Sequence, residues 1–407
     1  MKKQISLLLF LIIHQSSWSQ QSSSTNSPCT DAMIVTAKGK WIKYPDLSTA
    51  VTKSQQQEAF NRLDAIHDIL LKIYPQPTGV DIRWKRSIGP GYFGAQKEYY
   101  FNPDKKLMSK DVKLLPIASF NYFANFSPHY CAHTDKGIVF MPGDKNENGN
   151  GITVTANNIG GPVGSLPPED DWMIDGLPVK KRSPVLNEKW KGYEVQYPEF
   201  GAGTRYILIH RKGILPYKPV TRKRYLDRCI SHLTKTHDEM IKLQEQMPVR
   251  SLEEQEKEKK AKLARFENDF GSDPKRLKSA VDYYLSGYQT DQQQREERVN
   301  KAKKNKQDEL KKFTDELEKT TKEGLLDSPA LILVTYYSIP TIFETDPEKG
   351  YMLVTENPDY IRKDLPGYVP QLIVLSWWWS DYVPYRAYEN ILWQDFPIEK
   401  LQAMIDK

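Results

Sequence analysis

Apolar residues recur along this chain with two different periods, and the switches between them divide it into regions. From Ser54 the period is helical: Phe60, Leu63, Ile66, Leu70 and Ile73 share a face, Ser54 and Gln57 form a capping-box start, and Pro75 stops the run. Ahead of it, residues 33–36 read as a short strand and Gly39-Lys40-Trp41 as a turn. From Val80 the period falls to two in short segments parted by Gly, Pro and Asn, the pattern of an antiparallel sheet. Phe120, Tyr122, Ala124 and Phe126 alternate with Asn121 and Asn125, and Ile152, Val154 and Ala156 alternate with Thr153, Thr155 and Asn157, so each segment is a strand with one buried face. Further strands are expected at 137–141, 172–174 and 206–210.

At Pro219-Val220-Thr221 the helical period returns, with Thr221 as N-cap and Leu226, Ile230, Leu233, His237, Met240 and Met247 in 3–4 spacing up to Pro248. Residues 251–324 hold 18 Lys/Arg against 17 Asp/Glu and few apolar side chains. Asp273-Pro274 reads as an N-cap followed by Pro at the first helical position. Val299, Leu310, Phe313 and Leu317 fit heptad core sites, with Lys303 and Lys306 in the two sites between Val299 and Leu310. This predicts a helical arm with legs about 50 Å long. Strand signals resume at 330–336, 351–355 and 371–378, and a closing helix after Phe396-Pro397 places Ile398, Leu401 and Ile405 together. The expected fold class is α+β: a mostly antiparallel, β-rich body interrupted by a long, charged, coiled-coil-like helical arm, with strands from both flanks sharing one sheet. The boundaries are a leader at 1–19, a polar tail at 20–28, the body at 29–220 and 327–407, and the arm at 221–326.

Composition changes the picture in two ways. The 407 residues carry 58 Lys/Arg against 52 Asp/Glu, a formal charge of +6 with the signs interleaved, which argues against a nucleic-acid partner. Lys2 and Lys3, the apolar run 5–13 and Ser17-Trp18-Ser19 then follow the order of a secretory signal, so the mature chain is expected to be secreted or periplasmic. The run falls far short of the roughly 20 residues that span a bilayer, and no later segment reaches that length, so no membrane span is expected in the mature chain. An oxidising compartment favours pairing Cys29 with Cys131; three buried thiols are the alternative. The layout resembles that of exported proteins of Gram-negative envelopes, which implies a compartment and no activity.

Candidate chemistry is sparse. Asp144-Lys145-Asn146-Glu147-Asn148-Gly149 matches the first half of a calcium loop, with Asp144, Asn146 and Asn148 as oxygen ligands, but Thr155 stands where a bidentate Glu belongs. The same residues suit a polar hairpin loop between strands 137–141 and 152–156. His129 and His133 offer imidazoles four apart for zinc without further ligands, and Glu169, Asp170 and Asp171 form an acidic cluster. Gly160-Gly161-Pro162-Val163-Gly164 lacks the Lys-Ser/Thr of a phosphate cradle and reads as a turn. Trp377, Trp379 and Tyr382 are the candidate binding residues, since neighbours on a strand alternate faces and Trp378 takes the other side.

Three functions follow. The first is an exported, non-catalytic binding or assembly protein of the cell envelope, meeting a protein partner or a second copy through its arm. The second is a glycan-binding module using the aromatic surface. The third is a hydrolase with its site at His129, His133 and residues 169–171.

Overall fold

The computed structural model describes residues 30–48, 52–90, 97–101, 107–111, 117–134, 137–143, 150–165, 173–174, 177–197, 203–333 and 342–407. The expected leader 1–19, the expected tail 20–28, Cys29, the calcium-ligand candidates Asp144, Asn146 and Asn148, and residues 169–171 lie outside these residues. In chain order the elements are α1 (Asp31–Ile34), β1 (Trp41–Lys43), β2 (Leu47–Ser48), α2 (Lys53–Ile73), β3 (Val80–Pro90), β4 (Lys97–Phe101), β5 (Leu107–Asp111), β6 (Ala118–Thr134), β7 (Gly137–Pro142), β8 (Gly151–Ala156), β9 (Val163–Ser165), β10 (Met173–Ile174), β11 (Leu177–Arg182), β12 (Val185–Trp190), β13 (Tyr193–Gln196), β14 (Arg205–His210), β15 (Tyr217–Pro219), α3 (Arg222–Gln246), α4 (Leu252–Phe270), α5 (Pro274–Gly287), α6 (Asp291–Lys322), β16 (Leu331–Ile332), β17 (Tyr351–Glu356), β18 (Leu372–Trp378), α7 (Val383–Asp395) and α8 (Ile398–Ala403).

The fold is α+β. A large sheet runs β1-β3-β6-β8-β18-β14-β13-β12, with β2 and β7 added beside β3 and β6; a smaller one runs β10-β11-β17-β15, with β9 and β16 beside it. Pairing is antiparallel except where β1 and β2 meet β3. β18, which follows the arm in sequence, sits between β8 and β14, which precede it. Its Ile373, Leu375 and Trp377 face α2, α7 and α8, while Leu372 and Val374 face the smaller sheet, so its continuous apolar run reflects burial on both sides. β17 alternates likewise, Val354 toward the large sheet and Tyr351 and Leu353 toward α3 and α6. The layers are helices, large sheet, small sheet and the base of the arm.

The arm is an antiparallel helix pair topped by a helical hairpin. Ion pairs fix its register, Lys303 to Glu245 at 3.5 Å and Lys306 to Asp238 at 2.6 Å, with His237 bonded to Glu309 at 3.0 Å. The lysines expected in the seam therefore lie at its edge, and Ala302 joins Val299 and Ile241 in the buried line. On α3 the buried stripe passes from His237 to Ile241, which leaves Met240, Leu243 and Met247 exposed. At the tip, Phe266 stands edge-on to Tyr284 at 5.8 Å and Tyr284 to Tyr288 at 5.6 Å.

Four local readings change. Residues 31–34 are helical rather than the start of a strand, with the Thr36 hydroxyl donating to the Met33 carbonyl. The capping box of α2 lies two residues earlier than expected, because Thr52 and Gln55 satisfy each other's backbone N–H groups at 3.2 and 3.0 Å. α7 begins at Val383-Pro384, where the Trp/Tyr-rich sequence hid a helix start. Finally, β7 and β8 do not form a hairpin. Both pair with β6, along residues 129–134 and 120–125, so they are successive stretches of one interrupted strand. The described residues on either side of the interruption bond to neighbouring positions of β6: Gly143 donates to the Pro128 carbonyl, and the Phe126 N–H donates to the Asn150 carbonyl.

Candidate functional site: a groove on the open face of the large sheet

The smaller sheet covers only part of the large sheet's second face. Leu372 and Val374 are covered, whereas Ser376 and Trp378, next on the same face of β18, line an open groove of about 380 Å³. Strand register builds that groove in two cross-strand rows. One holds Arg83, Asn125, Gly151 and Trp378; the next holds Lys85, Phe123, Thr153 and Ser376. Four strands at about 4.8 Å make each row roughly 14 Å long. Gly151 makes a dip between Asn125 and Trp378, and a Cβ there would lie 2.2 Å from the Ala124 carbonyl oxygen.

The groove's chemistry is aromatic, amide and cationic. Lys85 Nζ lies 5.3 Å from the centre of the Phe123 ring. Arg83 donates through Nη2 to the Gly143 carbonyl at 3.4 Å, while its buried Nε–H has no partner. Among the described lining residues there is no carboxylate opposite these cations. Gly143 and Asn150, which flank residues 144–149 in sequence, both lie at the groove: Gly143 touches Arg83 and Asn150 lines it.

Trp377, Trp379 and Tyr382 lie on the opposite side. Trp377 is 1% exposed and packs against Trp190 and Trp393, with ring centres 5.1 and 5.6 Å away. Trp379 meets Phe126 edge-on at 4.7 Å, and Tyr382 packs on Tyr385. The alternation noted in the sequence holds, and the surface that opens is that of Trp378. Sequence reasoning missed Arg83, Lys85 and Phe123, because nothing local marks which face of a half-buried strand stays uncovered.

The inward face of the same strands holds polar groups in structural roles. His67 stacks on Trp84 at 3.8 Å and shares a 2.8 Å hydrogen bond between Nδ1 and the Tyr122 hydroxyl. Burial pushes its pKa below 6.5, against the opposing charges of Asp68 and Asp64. Arg86 bridges Asp46 and Asp64 at 2.5 and 2.7 Å over the Phe60 ring. Burial alone would raise the Asp46 pKa, but Arg86's hydrogen bonds and charge hold it below 3.8.

His129 and His133 share an extended strand, where four residues span about 13 Å, too far for one ion. His129 is buried and bonded to Asp81 Oδ1 at 3.1 Å, which also accepts the Lys40 N–H. Among the described residues no group of His, Cys, Asp and Glu is placed to hold a metal ion. Cys131 is half of a disulfide and Cys229 is a buried free thiol, its pKa pushed up to about 12 by burial, which leaves Cys29 as the one other cysteine of the sequence. No helix among the described residues is long and apolar enough to cross a membrane.

No protein-family model, curated protein or solved structure matches this chain.

Proposed function

We propose that the protein is an exported, non-catalytic binding protein of the cell envelope that takes a glycan on the open face of its large sheet. One observation carries this reading: register aligns Phe123 and Trp378, flat apolar platforms, with Arg83, Lys85, Asn125 and Thr153 around them. Sugar rings offer apolar faces to aromatic side chains and hydroxyls to amides and cations. The two cations, with no carboxylate among the described lining residues, favour glycans that carry acidic groups. Amides, hydroxyls and cationic groups orient a ligand by hydrogen bonds and charge. Titrating neutral and acidic oligosaccharides against tryptophan fluorescence is the test. Acidic glycans are expected to bind and Trp378→Ala to weaken binding at least tenfold; a flat response across both classes would end the proposal.

A second surface supports the assembly reading. Met240, Leu243 and Met247 recur at helical spacing on α3, Leu252 follows at the start of α4, and all four are exposed. α6 cannot be deleted to test this, because Phe313 belongs to the core at the arm's base. The exposed side chains themselves are the suitable target: replacing Met240, Leu243, Met247 and Leu252 with serine leaves the buried line of Ile241, Val299 and Ala302 intact. Loss of cross-linked partners in this variant supports assembly through the arm, and an unchanged set refutes it.

A further inference from the structure

We propose that a cavity between the two sheets is a second binding site, for a small anionic molecule that also carries hydroxyl donors, a sugar acid or sugar phosphate by size and chemistry. The proposal is independent of the groove and of its glycan. The cavity measures about 550 Å³ and is bounded by β11, β12, β13, β14, β15, β17 and α8. That volume holds many waters and lies within the range of small-molecule sites.

Its floor holds two buried polar groups left unsatisfied. Arg182 is 6% exposed and Gln196 2%; Arg182 Nε–H and Gln196 Oε1 have no hydrogen-bond partner, although Arg182 reaches Glu194 through Nη2. Both side chains line the cavity, and an unpaired buried donor and acceptor beside it are costly to keep. His210 adds to the lining. Its Nδ1–H donates to the carbonyls of Arg211 and Ile214 at 2.8 and 3.0 Å, which leaves Nε2 as the ring's other polar atom.

Charge selects the ligand's sign. Arg182, Lys189 and Lys212 line the cavity against one carboxylate, Glu194, and both lysines are exposed, so the entrance is cationic while the floor is sheltered. Tyr217, Leu208 and Met352 supply apolar wall for a ring or short carbon chain. An anionic group would meet Arg182 and the lysines, and hydroxyls would donate to Gln196 and bond to His210.

The test uses the full mature chain with D-glucuronate, glucose 6-phosphate and glucose as calorimetric probes. At least one acid is expected to bind and glucose not to, and the stronger of the two tells carboxylate from phosphate. Arg182→Met is expected to weaken binding tenfold or more through the lost charge-assisted hydrogen bonds. Should that variant fail to fold, Gln196→Leu and the exposed Lys212→Ala serve instead, each expected to weaken binding severalfold. Trp378→Ala, in the groove, is expected to leave it unchanged. Binding of neither acid, equal binding of glucose, or affinity that depends on Trp378 and not on these cavity residues would overturn the assignment.

Discussion

Trp377 and Trp378 are adjacent in sequence and face opposite environments, so the pair offers a direct test of the sheet's orientation. Trp377 is enclosed by Trp190 and Trp393, and its indole N–H is buried without a partner. Truncating a buried tryptophan to alanine costs about 3–5 kcal/mol. Removing the orphan donor returns about 1 kcal/mol or more, so Trp377→Ala should destabilise the body by roughly 3 kcal/mol. Trp378 is half-buried on the groove, and its truncation should cost about 1 kcal/mol. Trp377→Phe keeps a ring and removes the orphan N–H, so its cost should stay within about 1.5 kcal/mol. Urea unfolding followed by far-ultraviolet circular dichroism measures these differences, read as midpoint shifts at constant slope. Equal losses for the two alanine variants would show that both tryptophans are equally enclosed, and would remove the groove together with the face assignment behind it.

Other expectations rest on separate features. Burial holds His67 below its ordinary 6.5, so the unfolded chain takes up the proton first; the stability of the neutral ring is complete above about pH 6.5 and declines as pH falls below it. Thermal unfolding between pH 7 and 5 should show that decline, and His67→Gln should flatten it; an unchanged slope would refute the role. Arg86→Leu should cost about 1–2 kcal/mol, since Asp46 keeps only Lys43 at 3.6 Å and the half-exposed Asp64 loses its partner, and a loss under about 0.5 kcal/mol in chemical denaturation would contradict it. Gly39→Ala would set a Cβ 1.7 Å from the Val80 carbonyl oxygen, so it should destabilise the β1–β3 pairing by about 3 kcal/mol. Rapid amide exchange along β1 would report the opening, and wild-type protection would count against it.

What could be read locally was the set of elements driven by periodicity and caps. α3 begins at its Thr221 cap, Asp273-Pro274 opens α5, Gly151–Ala156 is a strand whose inward residues were visible as an alternating pattern, and Leu372–Trp378 is a strand marked by its apolar, aromatic run. Weak signals were misread where local chemistry was ambiguous: a strand assigned at 33–36 covers helical residues, and Met240 and Met247 continued an apolar spacing that the α3–α6 crossing leaves in solvent. α7 escaped notice because aromatic residues favour strands as readily as they fill a helix face.

The sequence by itself determined an α+β composition of elements, a charged helical excursion and a strand at its apolar, Trp-rich C-terminal stretch, because hydrophobic period and capping act over a few residues. It also determined that Trp377 and Trp378 oppose each other, since the pleat is local. Only the tertiary structure decided which of them meets solvent, because that depends on how far the smaller sheet extends across the larger one. Register between distant strands set Arg83 and Phe123 beside Trp378, and sheet-on-sheet packing left Arg182 and Gln196 around a cavity. Such juxtapositions arise from packing between segments remote in sequence, and no residue within either segment announces its partner.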